Sequence, residues 1–305
     1  MIETVTLDQL RIFAAAAEQK SFSGAGRRLG RAQSVISQAV AGLEDQLGVK
    51  LFSREGRSPT LTPEGQLLLA DARAVLNRLS ALKARANGMS AGVEPELSVA
   101  VDVMFPMSVL TNAAAAFGEA FPFTPLRLYV EALGGVAKAV QDGQCQLGIV
   151  GSLPFLTHEM VAERLLGVEL VLVATPSHPL GRHEGRLSAH DMAGQLQLVL
   201  TDRSDLSEGR EFNVFSARNW RLADMGAKHA FLLAGLGWGS MPYEMVARDI
   251  DEGRLVVLAP EDHPVSDYMT MSASYMREIP PGPAGRWFIE RLKTEADQPA
   301  SARMG

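Results

Sequence analysis

An all-α N-terminal segment, one long helix and a larger C-terminal α/β body is the architecture this 305-residue sequence predicts, and three observations carry it. In the first 88 residues the apolar positions step by three and four, the period of an amphipathic helix. From Glu94 onward short apolar runs of β type alternate with helical stretches, the pattern of a parallel α/β sheet. Charge divides at the same place. Residues 1–88 hold 12 Lys or Arg against 8 Asp or Glu, a balance of +4, whereas residues 89–305 hold 17 against 27, a balance of −10. A basic end on an acidic body points to an anionic partner for the N-terminal segment, which the overall charge of −6 conceals.

Leu7, Leu10, Ala14 and Ala17, broadened by Phe13, define a first helix. Ser21-Phe22-Ser23 interrupts it, and Ser23 is expected to cap a short second helix from Gly24 to Leu29 that Gly30 ends. Two glycines make that helix weak by propensity, so packing has to hold it. A third helix runs from about Gln33 to Gln46. Ile36, Val40, Leu43 and Leu47 line one face of it, and Gln33, Ser34, Ser37, Gln38 and Ala41 the other. Two short helices around a tight turn, the second presenting short polar groups, fit a helix-turn-helix whose second helix enters the major groove. They fit equally a small bundle with a solvated polar face. Gln and Ser do suit base reading, because an amide can bond an adenine edge bidentately and a hydroxyl can serve any pair.

Leu51-Phe52 and Thr60-Leu61 flank the Gly/Pro-containing turn Glu55-Gly56-Arg57-Ser58-Pro59, so a hairpin is expected. As a wing it would carry Arg54 and Arg57 to phosphates or a narrow minor groove; otherwise these are solvated turn arginines. Thr62-Pro63-Glu64 then places a capping hydroxyl before proline at a first helical position. The helix it starts is expected to reach Asn87 and stop at Gly88. Along it Leu68, Ala72, Val75, Leu79, Leu82 and Ala86 repeat by four and three, a heptad seam too long for a small headpiece to cover. Pairing with its copy in a second subunit is the simplest cover, and packing onto the chain's own body is the alternative.

Leu7-Asp8-Gln9-Leu10 with Phe13, Ser21-Phe22-Ser23, Ala25 and Leu29, Gln33-Ser34, Ser37, Leu43-Glu44, Leu47-Gly48, Leu51-Phe52 with Arg54, and Leu61-Thr62-Pro63-Glu64-Gly65 together resemble the N-terminal domain of LysR-type transcriptional regulators. His178-Pro179-Leu180, the Gly235-Leu236-Gly237 turn and Met241-Pro242 extend the resemblance through the chain. It implies an N-terminal all-α winged helix-turn-helix with a long linker helix, and a C-terminal α/β effector domain of two subdomains like a periplasmic binding protein. The implied roles are base reading by Gln33, Ser34, Ser37 and Gln38, backbone or minor-groove contact by Arg54 and Arg57, and dimerisation through Leu68, Ala72, Val75, Leu79 and Leu82. The implied partners are a double-stranded DNA operator, a small-molecule effector, further copies of the chain up to a homotetramer, and RNA polymerase. The sequence departs from the family's frequent residues at Gly26, Ala32, Gln38 and Ala39.

In the body, strands at 97–101, 126–130 and 147–150 with helices at 107–117 and 136–141 form a first unit. A second contains strands at 170–174, 196–200, 220–222, 238–242 and 255–258 and helices at 189–193 and 227–234. A strand at 269–275 crosses back and a helix at 284–293 closes the first unit. The expected division is a winged helix-turn-helix at 1–62, a linker helix at 63–88, a first effector subdomain at 93–168 with 269–294, a second at 169–268, and a disordered tail at 295–305. Two α/β units joined by crossing strands leave a cleft at the carboxyl ends of their strands. Candidate effector contacts there are Asp102, Met104, Phe105, Leu133, Thr201, Arg203, Asp224 and Trp238; for each, an ordinary loop contact is the competing reading.

No Gly-x-Ser-x-Gly elbow, His-Glu-x-x-His helix or Walker-type loop supports an enzyme, and the glycines at 235–239 end a helix rather than follow a strand. No cofactor or metal is expected: His178 and His183 lie in a Pro/Gly loop, and Cys145, the single cysteine, is expected to be a packed thiol. No apolar run approaches the roughly 20 residues that cross a bilayer, and the N-terminus lacks the order of a secretory signal, so a cytoplasmic location with no membrane partner is expected. A small-molecule binding or transport protein with a helical headpiece for another partner is the second reading of function.

Overall fold

The computed structural model describes residues 5–53, 59–90, 92–152 and 154–297. The chain divides between Asn87 and Gly88 into two compact units. In the first, α1 (Leu7–Gln19) starts at a capping box in which the Thr6 hydroxyl accepts from Gln9 N and the Gln9 side chain accepts from Thr6 N. Its buried face is Ile12, Phe13 and Ala14 to Ala16, so the apolar stripe is centred there and Leu7 is exposed. The short helix α2 (Phe22–Leu29) is capped by Ser21 and not by Ser23. Only a residue with extended backbone outside the first turn can aim its hydroxyl back at the helix amides, and Ser21 does so, accepting from Gly24 N at 3.1 Å. Ser23 instead accepts from the Arg27 guanidinium. Gly30 ends α2 at φ +66°, a conformation cheap only for glycine.

Helix α3 (Gln33–Leu47) buries Ile36, Val40 and Leu43 against Phe13, Ala16 and Ala25, forming one core. Strands β1 (Phe52–Ser53) and β2 (Thr60–Leu61) pair antiparallel with Phe52 opposite Leu61, at the place of the expected hairpin. Phe52 meets Phe13 and Phe22 edge-on at 5.7 and 5.3 Å. Arg54 and Arg57 lie outside the described residues. Helix α4 (Pro63–Ser90) has 28 residues, ~42 Å at 1.5 Å per residue, and passes through Gly88, which does not stop it. The Thr62 hydroxyl accepts from Gly65 N and donates to the Lys50 carbonyl, fixing where α4 leaves the hairpin. A Cβ on Gly65 would stand 2.1 Å from the Leu51 carbonyl oxygen, so this approach tolerates only glycine.

The second unit begins with β3 (Leu97–Asp102), α5 (Met107–Ala120), β4 (Leu126–Glu131), α6 (Gly134–Gln141) and β5 (Leu147–Gly151), in which β4, β3 and β5 run parallel. Next comes β6 (Met160–Ala174), which starts ten residues before the expected strand. It is followed by α7 (Ala189–Ala193), β7 (Gln197–Leu200), β8 (Asn219–Leu222), α8 (Met225–Leu233), β9 (Gly239–Pro242), α9 (Tyr243–Asp251) and β10 (Val256–Val257). The long β11 (Ser266–Met276) and α10 (Pro283–Ala296) return to the first half. The main sheet has the order β10-β6-β11-β5-β3-β4 with β9 on β6, and β7 pairs β8 in a smaller sheet.

The main sheet is mixed rather than parallel, because β6 and β11 cross the body in opposite directions and pair antiparallel. Helix α9 has no counterpart among the expected elements; only Val246 and Asp249 of it are buried, so its apolar signal is slight. Glu295, assigned to a disordered tail, sits buried in the last turn of α10, where it pairs with Arg291 and accepts from Asn112 Nδ2. Cys145 is buried among Val136, Val140 and Met160, and burial pushes its thiol up to about 11, followed by the effect of Glu131.

Glu44, on the apolar side of α3, is only 3% exposed. Its carboxylate accepts from Leu51 N at 2.8 Å, Phe52 N at 3.2 Å and Lys50 Nζ at 3.0 Å, tying α3 to the hairpin. Burial by itself would raise this carboxyl, but the Lys50 ammonium and the two amides more than offset that and hold it below the usual range. A group held low stabilises the fold above its unfolded value and loses that contribution as pH falls through the folded one. Glu44→Ala leaves two buried amides without acceptors and is expected to cost the first unit roughly 2–4 kcal/mol. Glu44→Gln, which keeps an acceptor, should cost less, and circular dichroism of thermal unfolding at pH 7 checks both.

Candidate functional site

Two loci carry chemistry. The first is the solvent face of α3. Gln33, Ser34 and Gln38 are exposed there and Ser37 is half-buried, with Val35 also exposed among them. The turn entering α3 is braced to α1 by a two-pronged contact of Arg31 on Asp8, at 2.5 and 3.0 Å. Glu18 takes Arg28 and, at 3.5 Å, Arg73 of α4. These arginines therefore hold the helices together, while the polar groups at the start of α3 remain on the surface. Ala32 supplies no side-chain cap, consistent with its departure from the usual Ser or Thr.

Along α4 the expected seam divides into two stripes. Gly65, Leu69, Ala72 and Leu76 turn toward the headpiece, and Leu69 and Ala72 are buried in its core. Ala72 thus serves the headpiece. Val75 and Leu82, the latter 64% exposed, lie on the other stripe with half-buried Leu68 and Leu79, the former packed at the edge of the headpiece core. A helix advances 100° per residue, so the two stripes are neighbours and one helix can present both.

The second locus lies in the body. A cavity of about 300 Å³ has Met104, Leu133 and Ser152 on one side, Gln197 to Leu200, Lys228 and Ser240 on the other, and Leu170 and Met269 of the crossing strands between them. Leu133, Val199, Leu200, Glu211 and Phe212 also border an open vestibule of about 670 Å³ that includes Thr201 and Arg203. Of the predicted contacts, the structure therefore brings Met104, Leu133, Thr201 and Arg203 together. Phe105 faces a separate cavity of about 390 Å³ beside Tyr243 to Met245.

Asp224 and Trp238 do not reach the cavity. Asp224 is the exposed cap of α8, accepting from Ala227 N at 2.6 Å, so its carboxylate is engaged at the helix start and it lines neither the cavity nor the vestibule. Trp238, just before β9, is fully buried with Ala174, Leu180, Leu187, Met192 and Leu258 in a separate core and does not line the cavity. Lys228, Ser240, Tyr268 and Phe212 were not among the predicted contacts. Lys228 is legible only as a charged residue, beside His229, in the largely apolar helix Met225–Leu233.

Two backbone and charge features sit at the cleft. Leu133 adopts φ +48°, ψ −120°, a conformation that costs a non-glycine residue and is found where a loop is tightly constrained. Lys138 of α6 reaches Asp205 across the mouth at 3.2 Å, joining the two halves. Asp102, at the end of β3, is 3% exposed and is not a lining residue; its Oδ1 accepts from Met104 N at 2.9 Å and so shapes the loop that carries Met104. Burial pushes its carboxyl up to about 7 despite that amide. A carboxyl raised in this way favours the folded state below its unfolded value near 3.8 and loses that favour as pH climbs to about 7. Asp102→Asn keeps the acceptor and removes the charge. It is expected to stabilise the protein by roughly 2–4 kcal/mol at pH 8 and by little at pH 4; equal gains in urea unfolding at both values would contradict this.

Residues 7–66 match the model of the bacterial regulatory helix-turn-helix protein, lysR family, and residues 90–297 match the LysR substrate binding domain. The chain is 27% identical over 297 residues to the HTH-type transcriptional regulator AceR of Acinetobacter baumannii, covering 97% of this chain and 99% of that one. It is 30% identical over 267 residues to the probable HTH-type transcriptional regulator YhaJ of Escherichia coli, covering 84% and 87%. Its fold is similar to that of a hydrogen-peroxide-bound mutant of Corynebacterium glutamicum OxyR, with a TM-score of 0.55 at 22% identity over 98% and 96% of the chains. With one model on the headpiece, another on the body and a 30%-identical regulator matched over most of its length, this chain belongs to the LysR family of transcriptional regulators, with a helix-turn-helix DNA-binding domain and an effector-binding domain.

Proposed function

We propose that this regulator reads an interrupted, roughly palindromic operator as a paired assembly, and that a small molecule in the body cavity sets how it binds. The observation that carries the reading is the surface of α3, where Gln33, Ser34 and Gln38 stand exposed beside half-buried Ser37 on a helix braced by Asp8–Arg31. In the proposed roles these four read base edges, and Arg54 and Arg57 hold phosphate or minor groove. Residues 1–62 act as the reading head and 63–88 as linker; 93–168 with 269–294 and 169–268 act as the two effector subdomains. Val75, Leu79 and Leu82, with Leu68 at the edge, form the dimer seam, and two dimers associate as a tetramer. Met104, Leu133, Thr201 and Arg203 meet the effector, whose binding closes the two halves and favours one arrangement of the heads over another. The assembly works in the cytoplasm, at the nucleoid, and contacts RNA polymerase from a site upstream of a promoter.

Gel shifts on the DNA upstream of the protein's own gene test the head. Arg57→Ala should weaken binding to all duplexes alike, whereas Gln33→Ala should mainly relax discrimination between operator and scrambled DNA, by about 1–3 kcal/mol. Equal losses on both duplexes for both variants would remove the assigned roles. The seam is tested separately: Leu79→Glu with Leu82→Glu should halve the assembly's mass in light scattering and weaken operator binding at least tenfold. An unchanged mass would place the subunit contact elsewhere.

A further inference from the structure

The chemistry of the effector can be read from Lys228, an inference that rests on the cavity being the effector site. Lys228 projects from α8 into the cavity and is 2% exposed. Its Nζ donates to the Ser240 carbonyl at 2.7 Å. Among the described residues no carboxylate lies within 4.0 Å of it. Two acids share the cavity lining, but both stand at its exposed rim. Glu211 pairs there with Arg221, and Asp267 accepts from Tyr268 N. The cavity that holds the ammonium is lined by apolar Met104, Leu170, Leu198 and Met269 together with neutral polar groups, among them Ser152, Gln197 and Asn213.

A buried ammonium with one neutral acceptor and no counter-charge is strongly unfavourable, and a hydrocarbon side chain would fill the same space without that cost. A cation kept in such a place is matched when an anion enters beside it. We propose that the effector is a small monocarboxylate with an apolar body, its carboxylate paired with Lys228 at the floor of the cavity. Lys228 is the buried cation of the site, and one buried cation matches one buried charge; Arg203 is exposed in the open vestibule, where water screens it. A dicarboxylate or a phosphate monoester would carry a second negative charge toward exposed Asp267 at the rim, where like charge repels it, Glu211 being already paired with Arg221. The apolar body of the ligand lies against Met104 and Leu133 from one half of the domain and Leu198 and Phe212 from the other, so its binding draws on both halves. A cavity of about 300 Å³ is at the small end of ligand sites, which sets the scale of the molecule. Burial lowers the ammonium to about 8, so it is charged at neutral pH.

Thermal shift followed by calorimetry on the full-length protein at pH 7 tests the inference. The probes are benzoate, phenylacetate and hexanoate, their three amides, benzylamine and succinate. At least one monocarboxylate should raise the melting temperature by several degrees, with its amide and succinate binding at least tenfold more weakly. Lys228→Met should abolish that binding while melting no lower than the wild type, which shows that it folds. Ser152→Trp, which closes the exposed rim, should abolish it as well. Equal binding of acid and amide, or affinity retained in Lys228→Met, overturns the assignment of Lys228. If only benzylamine or an amide binds and Ser152→Trp removes it, the cavity stands as the effector site and the carboxylate inference fails. If none of the eight binds, both fail.

Discussion

The antiparallel pairing of β6 with β11 is the contact on which the body depends. At one end β11 also pairs β5, and through it the parallel strands β3 and β4; at the other, β6 takes β9 and β10. Each half of the domain is therefore built onto strands that belong to both. The register shifts once, between Met271 and Ser272, where Leu165 of β6 is left without an opposite residue. A bulge of this kind bends a strand and sharpens its twist without breaking the ladder on either side. The two strands cannot slide past each other, because a one-residue slip would turn every side chain of the pair to the other face. Leu170 and Met269, which contribute to the cavity, lie just beyond the bulge.

Buried charge is treated in two ways. Glu44 in the headpiece is surrounded by three donors and acts as a fixed tie between α3 and the hairpin. Asp102 and Lys228 in the body have one neutral partner each, Met104 N and the Ser240 carbonyl. A satisfied buried ion rigidifies its surroundings, whereas an unsatisfied one stores free energy that a change of protonation or a ligand can release. Asp249 and Glu295 in the body are matched as Glu44 is, by Arg254 with His229 and by Arg291, so Asp102 and Lys228 stand apart from them.

Much of this was legible from residue spacing. The steps of three and four along α1, α3 and α4 gave the helices, and the alternation after Glu94 gave most of the strands, since both periods follow from which side chains must leave water. What escaped was set by tertiary contacts. Ser21 rather than Ser23 caps α2 because of backbone direction, and Gly88 is carried through α4 by its neighbours. Ala72 fits a heptad seam and a headpiece core equally well, and only packing decides between them. At the cavity, position after a strand found Met104, Leu133, Thr201 and Arg203 but also admitted Asp224 and Trp238, because strand ends do not reveal which way a side chain points. Lys228 was hidden by being helical, since its meaning comes from what does not surround it.

The chain as a whole is acidic, and residues 1–88, head and linker helix together, carry only +4, so one head alone offers little electrostatic hold on DNA. In the proposed function, affinity comes from linking two weak heads, and discrimination from the polar face of α3. The decisive experiment is fluorescence anisotropy of the full-length protein on the duplex upstream of its gene and on a scrambled duplex, titrated with salt. Affinity for both should fall steeply as salt rises, with the upstream duplex preferred throughout. Affinity that ignores salt, or that is the same for both duplexes at every salt concentration, would be incompatible with a pair of weakly basic heads reading bases through α3.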